Sequence, residues 1–247
     1  MKTALSTFLV LLAISAGGFY AYSRVMQTRQ LRNLASDALK RQDYSLTVPE
    51  GKRREEIAQL VNTLGICSAA DFMAASSGKE GYLFPDTYRF FKNTPAAEVV
   101  LAMTDTFTKR TIELNPTPSQ VILASIVERE AIGDTDRALI AGIYQQRLNL
   151  GMKLQADPTV QYAKDTQSNE DATVTYWKPI TQAEYLSINS PFNTYLVVGL
   201  PPTAIANAGL QSLAAAVKPT ATDQLYFLYR NKKLLTSKTL EQHLLQE

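Results

Sequence analysis

The stretch Ser119-Gln120-Val121-Ile122-Leu123-Ala124-Ser125-Ile126-Val127-Glu128-Arg129-Glu130 (SQVILASIVERE, 119–130) decides how the rest of the chain is read. Its apolar residues lie nearly all round a helix, so the segment is expected to be buried. Thr117 or Ser119 can cap it, after the break Asn115-Pro116-Thr117-Pro118. The run then ends abruptly in two acids. At 3.6 residues per turn Val121, Ser125, Glu128 and Ile132 share one stripe, and Glu130 is about 200° round from Glu128. The two carboxylates therefore face different surroundings. Glu128 stands beside the small residues Ala124 and Ser125, which leave room for something to approach. A plainer reading pairs it with Arg129 or Arg147 at a helix end.

Composition narrows the chemistry around this helix. The chain has 247 residues, 45% hydrophobic and 19% charged, as in a globular protein of one large domain or a domain plus a small module. A net charge of +2 gives no reason to expect nucleic acid as a partner. The single cysteine, Cys67, excludes an intrachain disulfide and a cysteine-based zinc site. The single histidine, His243, close to the end, would have to serve any triad or histidine-based metal site. No metal or cofactor is expected, and no nucleophile-elbow, zinc-protease, phosphate-loop or dinucleotide-binding motif occurs.

Residues 3–22, TALSTFLVLLAISAGGFYAY, carry no charge. About 20 such residues as a helix cross the ~30 Å hydrocarbon layer, and Tyr20 and Tyr22 suit its interface. The expectation is a transmembrane anchor over 1–23. A cleaved signal peptide, with small residues at Ser15 to Gly18, is the competing reading. Arg24, Arg29, Arg32, Lys40 and Arg41 follow the span, and by charge alone they place the C-terminal side in the cytoplasm.

The rest reads as mixed α+β. A juxtamembrane helix is expected over 24–43, then a small strand-turn-helix module over 44–78, then one larger domain over 79–247. In the module Tyr44, Leu46 and Val48 alternate, and Ile57, Leu60, Val61 and Leu64 form a helical stripe closed by Gly65. EGYLFPDTY (80–88) reads as a strand interrupted by Pro85, with aromatics that fit either the core or a sugar surface. A helix capped by Thr94 with Pro95 at its first position carries Ala96, Val99, Val100, Met103 and Phe107. A further helix runs from Asp134 to Gly151. Asp157-Pro158-Thr159 reads as a turn, 164–174 as a polar loop, and 195–198 as a short strand. A helix at 208–217, a strand at 225–230 and a helix at 237–246 close the chain.

Four of these stretches, in this order, carry a resemblance: EGYLFPDTY, ASIVERE, QQRLNLGMKLQADPTVQYA and SPFNTYLVVGLPPTAIANAG. From about Tyr44 onward the chain resembles the MltG-type, or YceG-like, endolytic murein transglycosylases of bacteria, and SKTLEQH (237–243) resembles their closing segment. The resemblance implies a lyase anchored in the cytoplasmic membrane, with its catalytic domain outside. That placement overrides the charge rule, because murein polymer exists only there. It implies a LysM-like module ahead of the catalytic domain, truncated here to 44–78. It implies cleavage of MurNAc-β-1,4-GlcNAc bonds inside peptidoglycan strands to give 1,6-anhydro ends. Glu128 would be general acid and then base, Glu130 a second motif acid of unclear role, and Glu80, Tyr82, Gln155, Asp157, Asn193 and Tyr195 substrate contacts. Peptidoglycan, the membrane and the cell-wall synthesis machinery are the partners so implied. Thr203 departs from the family pattern, which has glycine there. The alternatives are a membrane-anchored peptidoglycan-binding scaffold without activity and a lysozyme-like hydrolase.

Overall fold

The computed structural model describes residues 18–32, 43–167 and 175–246 and divides the chain into two units, Met1–Asp43 and Tyr44–Glu247. In the first unit residues 18–32 form a helix, α1, with its side chains exposed. The span expected at 3–22 falls mostly on residues 1–17, and the end of the juxtamembrane helix on 33–42; both lie outside the described residues. Among the described residues no helix is long and apolar enough to cross a membrane.

The second unit is a mixed α+β structure. Its elements run β1 (Asp43–Thr47), α2 (Arg54–Thr63), α3 (Ala69–Ala75), β2 (Thr87–Phe91), α4 (Ala96–Arg110), α5 (Pro118–Glu130), α6 (Asp134–Asn149), α7 (Asp157–Gln167), α8 (Glu184–Ser187), α9 (Leu210–Val217), β3 (Tyr226–Arg230), β4 (Lys233–Ser237) and α10 (Leu240–Leu244). Two hydrophobic cores organise them. In the first, β1 pairs with β2, and Leu46, Ile57, Val61 and Phe72 meet Leu83, Val99 and Met103. The strand that completes β1 thus lies beyond residue 78, and the unit reads β-α-α-β. The helix α3 has no counterpart in the sequence reading. Ser68 caps it by accepting from the Asp71 N–H.

The second core is built round α5. Thr117, not Ser119, is its cap: the Thr117 hydroxyl accepts from the Gln120 N–H while the Gln120 side chain accepts from the Thr117 N–H, and Pro118 opens the helix. Val121, Leu123, Ala124, Ile126 and Val127 are buried against residues of α6, α7 and α9. The small residues of α5 admit backbone: Ser125 Oγ accepts from the Ile205 N–H at 3.0 Å and donates to the Ile122 carbonyl at 2.7 Å. Gly142 on α6 allows a similar approach, since a Cβ there would lie 2.0 Å from the Thr220 carbonyl oxygen.

Several local expectations change. Residues 80–86 are turns rather than strand, because Asn207 takes the Gly81 and Leu83 N–H groups that a strand partner would need. Helix α4 starts after Pro95, and the Thr94 hydroxyl turns back to the Phe91 carbonyl. Asp157-Pro158 opens α7, a position proline favours, rather than making a free turn. Residues 195–198 are not a strand: Asn193 Oδ1 accepts from the Tyr195 N–H and the Asn193 carbonyl from Leu196 and Val197, which curls the segment. The final helix is shorter than expected, because Thr239 caps it by accepting from the Gln242 N–H, and 233–237 pairs antiparallel with β3, Leu228 opposite Leu235.

Candidate active site

A cleft of about 410 Å³ opens between the end of α5, α6, the start of α7, the 193–195 turn, β3 and α10. Glu130, Tyr144, Arg147, Gln155, Asp157, Tyr195, Tyr226, Tyr229 and His243 are among the residues lining it. Four residues singled out in the sequence therefore converge: Glu130, Gln155, Asp157 and Tyr195.

Glu130 is the acid that α5 delivers to this cleft. The Tyr144 hydroxyl donates to its Oε1 at 2.9 Å. Burial, reinforced by the negative charge of Asp157, pushes its carboxyl up to about 7 against the opposing pull of Tyr144 and Arg147. At neutral pH it holds a proton a substantial part of the time. Across the cleft Asp157 accepts from the hydroxyls of Tyr195 at 2.7 Å and Tyr185 at 3.0 Å, so its carboxylate is oriented by two donors. The rings of those tyrosines lie 4.3 Å apart. Gln155 takes a left-handed backbone at φ 50°, a conformation costing about 1–2 kcal/mol outside glycine, and is held there by its N–H to the Thr194 carbonyl. The buried Arg147 donates to the Leu225 and Leu154 carbonyls, tying the β3 wall to the α7 wall.

Glu128 lies elsewhere. Its side chain is only 6% exposed, its Oε1 is 3.3 Å from Arg137 Nη2, and its Oε2 accepts from the Gly209 N–H at 3.0 Å. Gly209 is the N-cap of α9, so this carboxylate sits where a helix start favours negative charge. A Cβ on Gly209 would fall 1.7 Å from Glu50 Oε1, so a side chain there would have to push the Glu50 carboxylate aside. The partner expected for Glu128 was Arg129 or Arg147; it is Arg137, itself bound to Asp134 and Ser212. Two residues of offset on a 3.6-residue helix turn the acids apart, and the cleft received Glu130.

The remaining expected contacts separate. Asn193 is fully buried and donates to the Tyr185 and Ile188 carbonyls, so it shapes the turn carrying Tyr195. Glu80 and Tyr82 line a different cavity. Glu80 accepts from the Arg54 N–H at 3.1 Å and from Asn207 Nδ2 at 2.8 Å, and burial, with the nearby charge of Glu55, pushes its carboxyl up to about 8. Phe84 and Tyr88 from the same motif are core. Sequence reasoning passed over Tyr144, Tyr226, Tyr229 and His243. His243 looked like a tail residue, yet it stacks on Tyr226 with ring centres 5.4 Å apart in the cleft wall. Among the described residues no cluster of histidine, cysteine and carboxylates could hold a metal ion.

An acid raised toward neutrality, a second oriented carboxylate and an aromatic wall thus meet in one open cleft. The YceG-like family matches residues 3–246, and the chain belongs to that family. It is 39% identical over 174 residues to an endolytic murein transglycosylase of Bacillus subtilis, covering 66% of this chain and 46% of that protein. It is 32% identical over 161 residues to an endolytic murein transglycosylase of Streptococcus pneumoniae strain D39, covering 60% of this chain and 28% of that one. The chain thus spans about half, or less, of the length of these relatives. A crystal structure of a yceG-like protein from Listeria monocytogenes superposes with a TM-score of 0.70 at 29% identity, covering 82% of this chain and 76% of that one.

Proposed function

We propose that the chain cuts MurNAc-β-1,4-GlcNAc bonds within peptidoglycan strands without water, and that Glu130, rather than Glu128, is its acid. One observation carries the choice: Glu130 opens on the cleft with a carboxyl raised to about 7, while both oxygens of Glu128 are engaged by Arg137 and Gly209. Protonated Glu130 gives its proton to the glycosidic oxygen as the bond to the muramic C1 breaks, releasing the next sugar with a free C4 hydroxyl. The ionised Glu130 then takes the proton of the muramic C6 hydroxyl as that oxygen bonds to C1, which closes the 1,6-anhydro ring. The proton returns to Glu130 and no water is consumed. The Asp157 carboxylate, fixed by Tyr195 and Tyr185, stabilises the positive charge that builds at C1. The walls formed by Tyr226, Phe227 and Tyr229 suit the C–H faces of sugar rings.

Residues 3–22 would anchor the chain in the cytoplasmic membrane with the cleft outside, where the substrate is. A reporter fused after residue 247 should then be active only on the exterior side; activity in the cytoplasm would sink both the topology and the substrate. The β-α-α-β unit from Asp43 to Phe91, in which β2 beyond residue 78 pairs with β1, would serve as the LysM-like module. Asp157 also supports a second reading, hydrolysis by a lysozyme-like pair of carboxyls. Mass spectrometry of purified peptidoglycan digested with the chain decides between them. Anhydro-muramyl ends from the parent and from Glu128→Gln, and none from Glu130→Gln, support the lyase. Reducing ends support the hydrolase.

A further inference from the structure

Near the start of α5 a second cavity of about 360 Å³ takes in Val121 and Ile122 with Arg54, Tyr82, Tyr162 and Pro202. It shares no lining residue with the Glu130 cleft. Past Gly78 and Tyr82 it continues into a smaller groove of about 250 Å³ beside Lys79.

The charged groups of this cavity are one-sided. Tyr162 is only 8% exposed, and its hydroxyl has no hydrogen-bond partner among the described residues. The ring is packed away, and the hydroxyl is free to bond a molecule in the space it lines. The Tyr82 hydroxyl is likewise without a partner among the described residues. Arg54 spends Nε on Ser76 Oγ at 3.2 Å and Nη2 on the Met73 carbonyl at 2.8 Å, which leaves Nη1 unengaged among the described residues. Lys79 is exposed and forms no ion pair among the described residues. The one acid, Glu80, already has both oxygens engaged, by the Arg54 N–H and Asn207 Nδ2. Burial keeps that carboxyl mostly protonated at neutral pH, so it does not cancel the cations. The other walls, from Val121, Ile122, Pro202 and Ala204, are small and apolar. The hydroxyls of Tyr82, Tyr162 and Thr203 can donate or accept, so it is the two cations that set the sign of the ligand. Cations beside short apolar walls call for an anion on a small apolar body.

We propose that this cavity and its groove form a second binding site, for the free carboxylate of a short peptide with small apolar side chains. Only the natural source of that peptide rests on the murein reading: it would be the stem peptide carried by the glycan. A site of this kind would hold a strand by its peptide while the Glu130 cleft works on its sugars.

The test titrates the purified full chain with N-acetyl-alanyl-alanine and with its C-terminal amide, by calorimetry and saturation-transfer NMR. The acid should bind about tenfold more tightly than the amide, as expected for a charge-assisted hydrogen bond. Tyr162→Phe, which removes only an unbonded hydroxyl, should weaken the acid about fivefold with the melting temperature unchanged, and the exposed Lys79→Gln should also weaken it. Glu130→Gln should abolish cutting and leave acid binding intact. Equal binding of acid and amide, no binding of either, or Tyr162-dependent binding of an uncharged disaccharide in their place overturns the site. Acid binding without cutting by the parent chain would uphold the site and sink the lyase reading; cutting without acid binding would do the reverse.

Discussion

Replacing Glu130 by glutamine tests the proposed acid through stability as well as through turnover. Burial holds this carboxyl at about 7 against an ordinary 4.5. At 1.36 kcal/mol per pH unit that difference corresponds to about 3 kcal/mol. The folded chain binds the proton more tightly than the unfolded chain. Its contribution is therefore undiminished below about pH 4.5, is lost as pH rises from there to about 7, and is level beyond. Glutamine keeps an oxygen for the Tyr144 hydroxyl and cannot ionise. The variant should match the parent near pH 4 and exceed it at pH 8 by up to about 3 kcal/mol, or roughly 6–12 °C in melting temperature. Glu80 adds its own slope between 4.5 and about 8, but it is present in both proteins and cancels in the difference. Urea and thermal unfolding from pH 4 to 8 measure that difference, and peptidoglycan digestion on the same samples should show no anhydro ends from the variant. Parallel stability curves at all pH values would refute the reasoning, because Glu130 would then ionise like an exposed glutamate and have no proton to give near neutrality.

The other predictions concern the supports of the site. Glu128→Gln leaves the buried Arg137 with the exposed Asp134 and the nearby Glu50 as counter-charges and should cost on the order of 3 kcal/mol in denaturant unfolding, while the folded protein still cuts murein; a stable, inactive variant would return the acid's role to Glu128. Asn207→Ala removes the acceptor of the Gly81 and Leu83 N–H groups and the donor to Glu80 and the Lys52 carbonyl. It should destabilise by about 3–5 kcal/mol, and a loss below 1 kcal/mol would mean that water replaces the side chain. Tyr195→Phe frees Asp157 from one of its two donors and should lower kcat about tenfold with a small change in KM; an unchanged kcat would remove Asp157 from the mechanism. Activity of the parent should fall with rising pH above about 7 as Glu130 loses its proton, and a profile flat to pH 9 would contradict its role as acid.

Much of the architecture was legible because local rules did not compete with tertiary ones. Thr117-Pro118 with Gln120 announces the start of α5, and the stripe Ile57, Val61 announces α2. Legibility failed where a side chain or a neighbouring segment took over backbone groups. Asn207, more than a hundred residues away, holds the 80–83 turn in place of strand pairing. Asn193 curls a β-branched segment that reads as a strand. Lys233–Ser237 has little strand character of its own and becomes β4 by pairing with β3.

For the site, the sequence by itself determined that a buried apolar helix ends in two acids on nearly opposite faces, because helical periodicity depends on nothing but spacing. It also determined, through four ordered motifs, the family to which the chain belongs. Which acid meets solvent and which meets an arginine was decided only in the tertiary structure. That choice rests on α6 bringing Arg137 to Glu128 and Tyr144 to Glu130, on Gly209 placing the start of α9 against Glu128, and on α10 returning His243 to the cleft wall. A carboxyl's affinity for its proton is set by the charges, dipoles and water around it, and those come from residues that the sequence holds far apart.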